Sequence, residues 1–187
     1  MEEGNPTKKA PGRLDLVREF VNTVDFGNGA EEFHSAESLR AWLAERELMG
    51  ASDPVTEGDV RRAIDVREGL RTMLLANNGG ELDEAAIERL DRAASRAGLR
   101  VYAVPGEGPC LAPDATGVDG ALAQLLAISA RSAADGTWAR FKACPREVCR
   151  WAFYDRSKNR SGKWCDMEAC GNVEKARSYR ARHHSHA

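Results

Sequence analysis

The chain has 187 residues, with 27 Lys/Arg against 29 Asp/Glu and a formal charge of −2. That is enough for one domain with a small appendage, and no apolar run approaches the length that spans a bilayer. Charge is unevenly placed, a formal −9 over residues 1–137 and +7 over 138–187, which points the C-terminal part toward an anionic polymer or surface.

No secretory leader is expected, because Met1 to Pro11 is polar and the apolar stretch Leu14 to Val24 is interrupted by Asp15, Arg18, Glu19 and Asn22. Residues 1–12 carry no periodicity and are expected to form a disordered tail. Leu14, Val17, Phe20, Val21 and Val24 then recur at helical spacing, and Asp25-Phe26-Gly27-Asn28-Gly29 reads as a loop. Ser35 is placed to cap a second helix bearing Ala36, Leu39, Trp42 and Leu43. Thr56 opens a third, with Asp59 placed to complete the cap and Ala63, Val66, Leu70, Met73 and Leu74 as its stripe. Asn77-Asn78-Gly79-Gly80 closes it.

Asp83 caps a fourth helix that Gly98 ends. Leu99 to Val104 has strand character, and Leu111-Ala112 is expected to pair with it across a Glu107-Gly108-Pro109 turn. A fifth helix runs from about Val118 to Ala134, and Asp135-Gly136-Thr137 marks a boundary. Residues 13–137 therefore read as a helical domain with a small β-hairpin. It has no phosphate-binding glycine loop and no nucleophile–base arrangement; His34 lies in a polar loop. Asn22-Thr23 reads as a turn-forming pair, with ligand binding as the other use.

Four cysteines dominate residues 138–187: Cys144-x4-Cys149, fifteen residues, then Cys165-x4-Cys170. Two short-spaced pairs are the ligand pattern of a tetrahedral, all-thiolate zinc site; an iron–sulfur cluster uses the same count. Four thiolates leave no open position for water, so one structural Zn²⁺ is expected and an enzyme is not. A fifth cysteine, Cys110, stands 34 residues from Cys144, which suits zinc in a reducing cytoplasm better than a disulfide framework. Trp151 to Asp155 is expected to form a strand, Ser157 to Gly162 a turn, and Lys163-Trp164-Cys165 the returning strand. The second pair leads into a basic helix from Val173 to His183, with Asn172 placed to cap it. Trp151, Phe153, Tyr154 and Trp164 supply a small core, or else surfaces on which bases stack. The whole is treble-clef-like.

These residues resemble the CGNR-type zinc finger. The matching segments are Cys144 and Cys149, Phe153-Tyr154-Asp155, Ser157-Lys158-Asn159-Arg160, Trp164-Cys165-Asp166-Met167 and Cys170-Gly171-Asn172. The preceding domain, including Phe20-Val21-Asn22-Thr23, is similar to the ABATE domain, so the resemblance covers residues 13–183. It implies a bacterial stress-induced transcriptional regulator. Two positions depart from the family pattern: Val173 stands where the motif has Arg, and Gly162 where a basic residue is common, which is expected to loosen the turn and lower its charge.

Arg156, Lys158, Arg160 and Lys163 cluster at the expected turn, and Lys175, Arg177, Arg180 and Arg182 on the last helix; with Asn172 they are the expected nucleic-acid contacts. Arg177 and Arg180 either neutralise phosphate or read guanine edges. The expected partner is DNA, with a homodimer and a small-molecule effector of the N-terminal domain as further expectations. The competing reading is a zinc-dependent protein-interaction adaptor, or an RNA-binding protein, without sequence-specific DNA binding.

Overall fold

The computed structural model describes residues 8–105 and 108–184. In chain order they form α1 (Leu14–Val21), β1 (Val24–Asp25), β2 (Ala30–Glu31), α2 (Ala36–Glu45), α3 (Glu57–Ala76) and α4 (Glu84–Ala97). There follow β3 (Leu99–Val104), β4 (Gly108–Pro113), α5 (Gly117–Ala134), a 3₁₀ turn (Trp138–Arg140), β5 (Phe141–Ala143) and β6 (Ala152–Tyr154). A π turn (Met167–Gly171) runs directly into α6 (Asn172–His184). The strands make three separate antiparallel pairs, β1–β2, β3–β4 and β5–β6. The protein is thus mainly α, with small hairpins and a C-terminal four-cysteine cluster.

The helices start where their caps dictate. Ser35 accepts from the Ser38 amide, Thr56 from the Asp59 amide and Asp83 from the Ala86 amide. Gly98 ends α4 in the left-handed conformation, φ 58°. The buried face of α1 is Leu14, Val17, Phe20 and Val21. Phe20 meets Phe33 and Trp42 with ring centroids 5.6 and 5.7 Å away, and α3 and α5 close over them with Val66, Leu70, Leu74 and Leu125. Each such side chain stabilises the fold by roughly 1.5–3 kcal/mol.

The hairpin β3–β4 is longer on its second strand than expected: Val104 pairs with Gly108, so Gly108 and Pro109 belong to β4 and not to the turn. The pair β1–β2 was not expected, since two-residue strands carry no alternation. It is fastened from α3. Arg67, 3 % exposed, donates to Glu31 Oε1 and Oε2 at 2.6 and 2.7 Å and to Thr23 Oγ1 at 3.1 Å. Arg71 beside it donates to the Val21 carbonyl and to Glu68. His34 is exposed, three residues beyond β2.

The turn expected at 135–137 to mark a boundary does not divide the packing. Phe141, Ala143, Ala152 and Tyr154 of β5–β6 are buried in the same apolar cluster as Phe20, Leu70 and Leu125. Three asparagines complete the join. Asn22 pairs with Ala152 as a strand would, its Oδ1 accepting from the Ala152 amide at 2.7 Å and its Nδ2 donating to the Ala152 carbonyl at 3.0 Å. Asn77 Nδ2 donates to the Trp138 and Phe141 carbonyls, both at 2.9 Å. Asn78 Nδ2 donates to those of Ala143 and Lys163, both at 2.8 Å. Asn22 is therefore a docking residue. Asn22→Ala strands a buried amide and carbonyl, and is expected to cost about 2–4 kcal/mol of stability. Urea unfolding of the zinc-loaded protein checks this; a loss within about 0.5 kcal/mol, the scale of a surface change, would mean that water replaces the side chain.

The disordered tail expected over 1–12 needs correction for residues 8–12; residues 1–7 lie outside the described residues. Ala10 is buried in the core, and its amide donates to Asp15 Oδ1 at 2.8 Å. Lys8 Nζ donates to the Trp164 carbonyl at 3.3 Å and lies 4.9 Å from the Phe153 ring centroid. Arg156 reaches the Lys9 carbonyl at 3.0 Å. Residues 8–12 thus form a strap over the C-terminal part.

Candidate metal centre and basic surface

The first cysteine pair is carried by the loop joining β5 to β6. Cys144 extends the ladder, its amide donating to the Trp151 carbonyl at 2.9 Å. The chain then turns back, the Cys149 amide donating to the Arg146 carbonyl at 2.9 Å and Arg150 adopting φ 49°. The second pair lies at the start of the closing helix, Cys165 just before the π turn and Cys170 within it. Asp166, not Asn172, caps this helix: its carboxylate accepts from the Ala169 amide at 2.7 Å, and Asn172 lies one turn further on in helical conformation. Arg146 ties the pairs together, donating to the Ala169 carbonyl at 3.0 Å and lying 3.7 Å from Glu174.

All four sulfurs lie within 4.8 Å of one another. Cys149 Sγ is 3.4 Å from Cys165 Sγ, which is 3.8 Å from Cys170 Sγ. A tetrahedral zinc–thiolate centre has sulfur–sulfur edges of about 3.8 Å, so the set fits one Zn²⁺. Without a cation, one thiolate in this cluster holds its neighbours protonated: hydrogen bonds from Cys149 and Cys165 lower the Cys144 thiol to about 2, and contact with Cys144 drives the Cys149 thiol up to about 12 and raises Cys165. A divalent cation removes that restriction and holds all four as thiolates. With every position filled by sulfur, the ion is structural.

The hairpin expected between Trp151–Asp155 and Lys163–Cys165 does not form. Strand β6 pairs instead with β5, on the other side of the first cysteine pair. The chain from Ser157 to Lys163 is a loop wrapped around one ion pair. Lys142, 5 % exposed, donates to Asp155 Oδ2 at 2.8 Å and to the Arg160 and Gly162 carbonyls at 2.6 and 2.9 Å. Asp155, 1 % exposed, also accepts from the Ser157 and Gly162 amides at 2.9 and 2.8 Å. Burial pushes its carboxyl up, and the Lys142 ammonium with the hydroxyl and amide of Ser157 outweighs that, holding it at about 2. A carboxyl so lowered stabilises the fold fully above its ordinary 3.8, and that stabilisation is lost as pH falls through 2.

Gly162 is accordingly not a loose tip. A Cβ there would lie 2.5 Å from Asp155 Oδ1, so glycine is what lets the loop close on the carboxylate. Phe153 and Tyr154 are buried, as core and not as stacking surfaces, while Trp151 and Trp164 are half-buried. Strand alternation explains Lys142: Phe141 and Ala143 face the shared core, and Lys142 between them faces the loop.

The basic residues fall into two groups. Arg156, Lys158, Arg160 and Lys163 are exposed on the loop; Arg156 and Lys163 also lie over the rings of Tyr154 and Trp164, both at 5.7 Å. Lys175, Arg177, Arg180 and Arg182 are exposed on α6, as are Asn172 and Val173. At about 100° per residue Lys175, Tyr179 and Arg182 share one face, but Arg177 lies about 160° from Lys175. The cations therefore encircle the helix and do not form one stripe. Glu174, the one acid on α6, lies 3.9 Å from Arg177 and 3.7 Å from Arg146.

A helical domain sharing its core with a four-cysteine metal centre defines a zinc-finger protein. Residues 140–183 match the CGNR zinc finger. Residues 14–136, more than half of the chain, match the ABATE family, described as "Putative stress-induced transcription regulator". The chain belongs to that family, with the finger following it. A search of curated proteins found no match. No helix among the described residues is long and apolar enough to cross a membrane.

Proposed function

We propose that the protein is a transcription regulator that grips DNA through the basic surface of its zinc finger. The observation that carries this is α6. From Asn172 to His183 every residue but Glu174 is exposed, and a helix polar all round gains almost nothing from its own domain. It is rooted at the zinc centre, runs about 20 Å, and bears four cations against one acid. A major groove about 12 Å wide admits such a helix, while Lys158, Arg160 and Lys163 on the loop hold phosphates. The ABATE domain serves as the sensing and pairing part, and zinc fixes the angle at which α6 leaves the body.

The test is fluorescence anisotropy of the zinc-loaded protein with duplex DNA across a salt series. Binding is expected to fall linearly on logarithmic axes, and Lys158→Ala to lower the slope by about one. Arg177→Ala with Arg180→Ala is expected to weaken binding at least about thirtyfold, from about 1 kcal/mol or more per contact, with zinc content unchanged. Loss of the same variant's binding to a protein partner, with no DNA affinity at low salt in either form, would favour the adaptor reading instead.

A further inference from the structure

An open groove of about 870 Å³ lies between α5, β4 and the Pro11–Leu14 segment that leads into α1. Small-molecule sites commonly fall between about 300 and 1,000 Å³. Leu111 and Pro113 of β4, Ala127 and Ile128 of α5, and Pro11 make its apolar wall. Arg13 and Arg131 also line it, and both are exposed. Neither has a carboxylate partner within ion-pair distance among the described residues. The acid that lines the groove, Asp135, offsets part of the Arg131 charge, but its Oδ1 is already taken up by the Thr137 amide at 2.9 Å and the Thr137 hydroxyl at 2.5 Å.

An apolar channel with two exposed arginines outside ion-pair distance of any carboxylate among the described residues is complementary to an apolar body that ends in an anion. We propose that this groove binds a monocarboxylate with a medium-chain or aryl body, its chain against Leu111 and Ile128 and its carboxylate at Arg13 and Arg131. Guanidinium suits that role because its fork of donors matches a carboxylate, and such charge-assisted bonds are about twice as strong as neutral ones. The site would supply the sensing half of the proposed function, and its regulatory meaning rests on that reading. Its walls are also the two routes by which the chain enters the finger. Pro11 and Gly12 continue back into the strap that holds the Trp164 carbonyl and Arg156, while Asp135 and Thr137 continue forward into Trp138 and β5. A molecule seated there touches both.

The test is calorimetric titration of the full-length zinc-loaded protein with octanoate and with 4-phenylbutyrate, against 1-octanol and octylamine. Saturable binding of the carboxylates, at least about tenfold tighter than octanol, is expected. Arg131→Ala is expected to weaken it about tenfold with the unliganded unfolding midpoint unchanged, and Ala127→Trp to block it by filling the channel. Equal affinity for octanol, indifference to the arginine change, or no saturable binding of either acid at millimolar concentration overturns the proposal. DNA affinity of the unliganded protein is measured separately. Its absence would remove the regulator reading and leave the groove result standing.

Discussion

Replacing Cys170 with Ser is expected to unfold the whole protein and not the finger alone. The argument is one of magnitude. A structural zinc centre contributes about 10–16 kcal/mol to a segment that cannot bury its own core, while an entire domain of this size is stable by about 5–15 kcal/mol. The side chains that the centre holds in place, Phe141, Ala143, Ala152 and Tyr154, belong to the cluster that also contains Phe20 and Leu70. Releasing them opens that cluster from one side and strands the acceptors of Asn77 and Asn78. Chelation of the wild-type protein should do the same. Bound zinc, far-UV circular dichroism and the urea midpoint measure it together. A zinc-free Cys170→Ser protein that still unfolds cooperatively at the wild-type midpoint would show that residues 14–136 hold their fold unaided.

Lys142→Met is expected to cost about 3–5 kcal/mol, because it leaves the Asp155 carboxylate buried without its counter-charge. The loss should fall first on the loop from Arg156 to Lys163, whose Arg160 and Gly162 carbonyls lose the same donor. That loop carries Lys158, Arg160 and Lys163, the proposed phosphate contacts, so DNA affinity should drop with stability while zinc remains bound. Lys142→Arg is not expected to rescue either property. Three acceptors converge on one ammonium, and a planar guanidinium presents its donors in a fork that this arrangement does not match. Limited proteolysis at the loop and urea unfolding check both variants. A Lys142→Met protein with wild-type protection of the loop would mean that the Ser157 and Gly162 amides suffice to hold Asp155.

The parts legible in the sequence are those whose cause is local. Ser35, Thr56 and Asp83 each cap an amide three residues ahead, and Gly98 ends α4 through its own φ. The cysteine spacing announces the metal because each pair closes a short turn. What escaped the sequence is what acts at a distance. Asn22 meets Ala152 across 130 residues, and no periodicity marks an asparagine that pairs with a strand. The three residues of β5 are too few to show alternation, so nothing in the sequence marks Lys142 as buried or β5 as the partner of β6. Gly162 looked like a loosened tip because the carboxylate it packs against is seven residues back. Asn172 reads as the cap of α6 because no helix propensity signals the π turn that advances the cap to Asp166.

The asparagine joins carry a consequence for how this protein tolerates change over time. Asn22, Asn77 and Asn78 recognise carbonyls and one amide of the finger, never its side chains. Every residue presents the same backbone groups, so the docked segments of the finger are free to drift in sequence wherever side-chain packing allows. The helical half has no such latitude at these three positions. Substitution is therefore expected to be lopsided across one interface, permissive on the side of the finger and strict on the side of the helical domain, which lets the surface of the finger change without renegotiating the attachment.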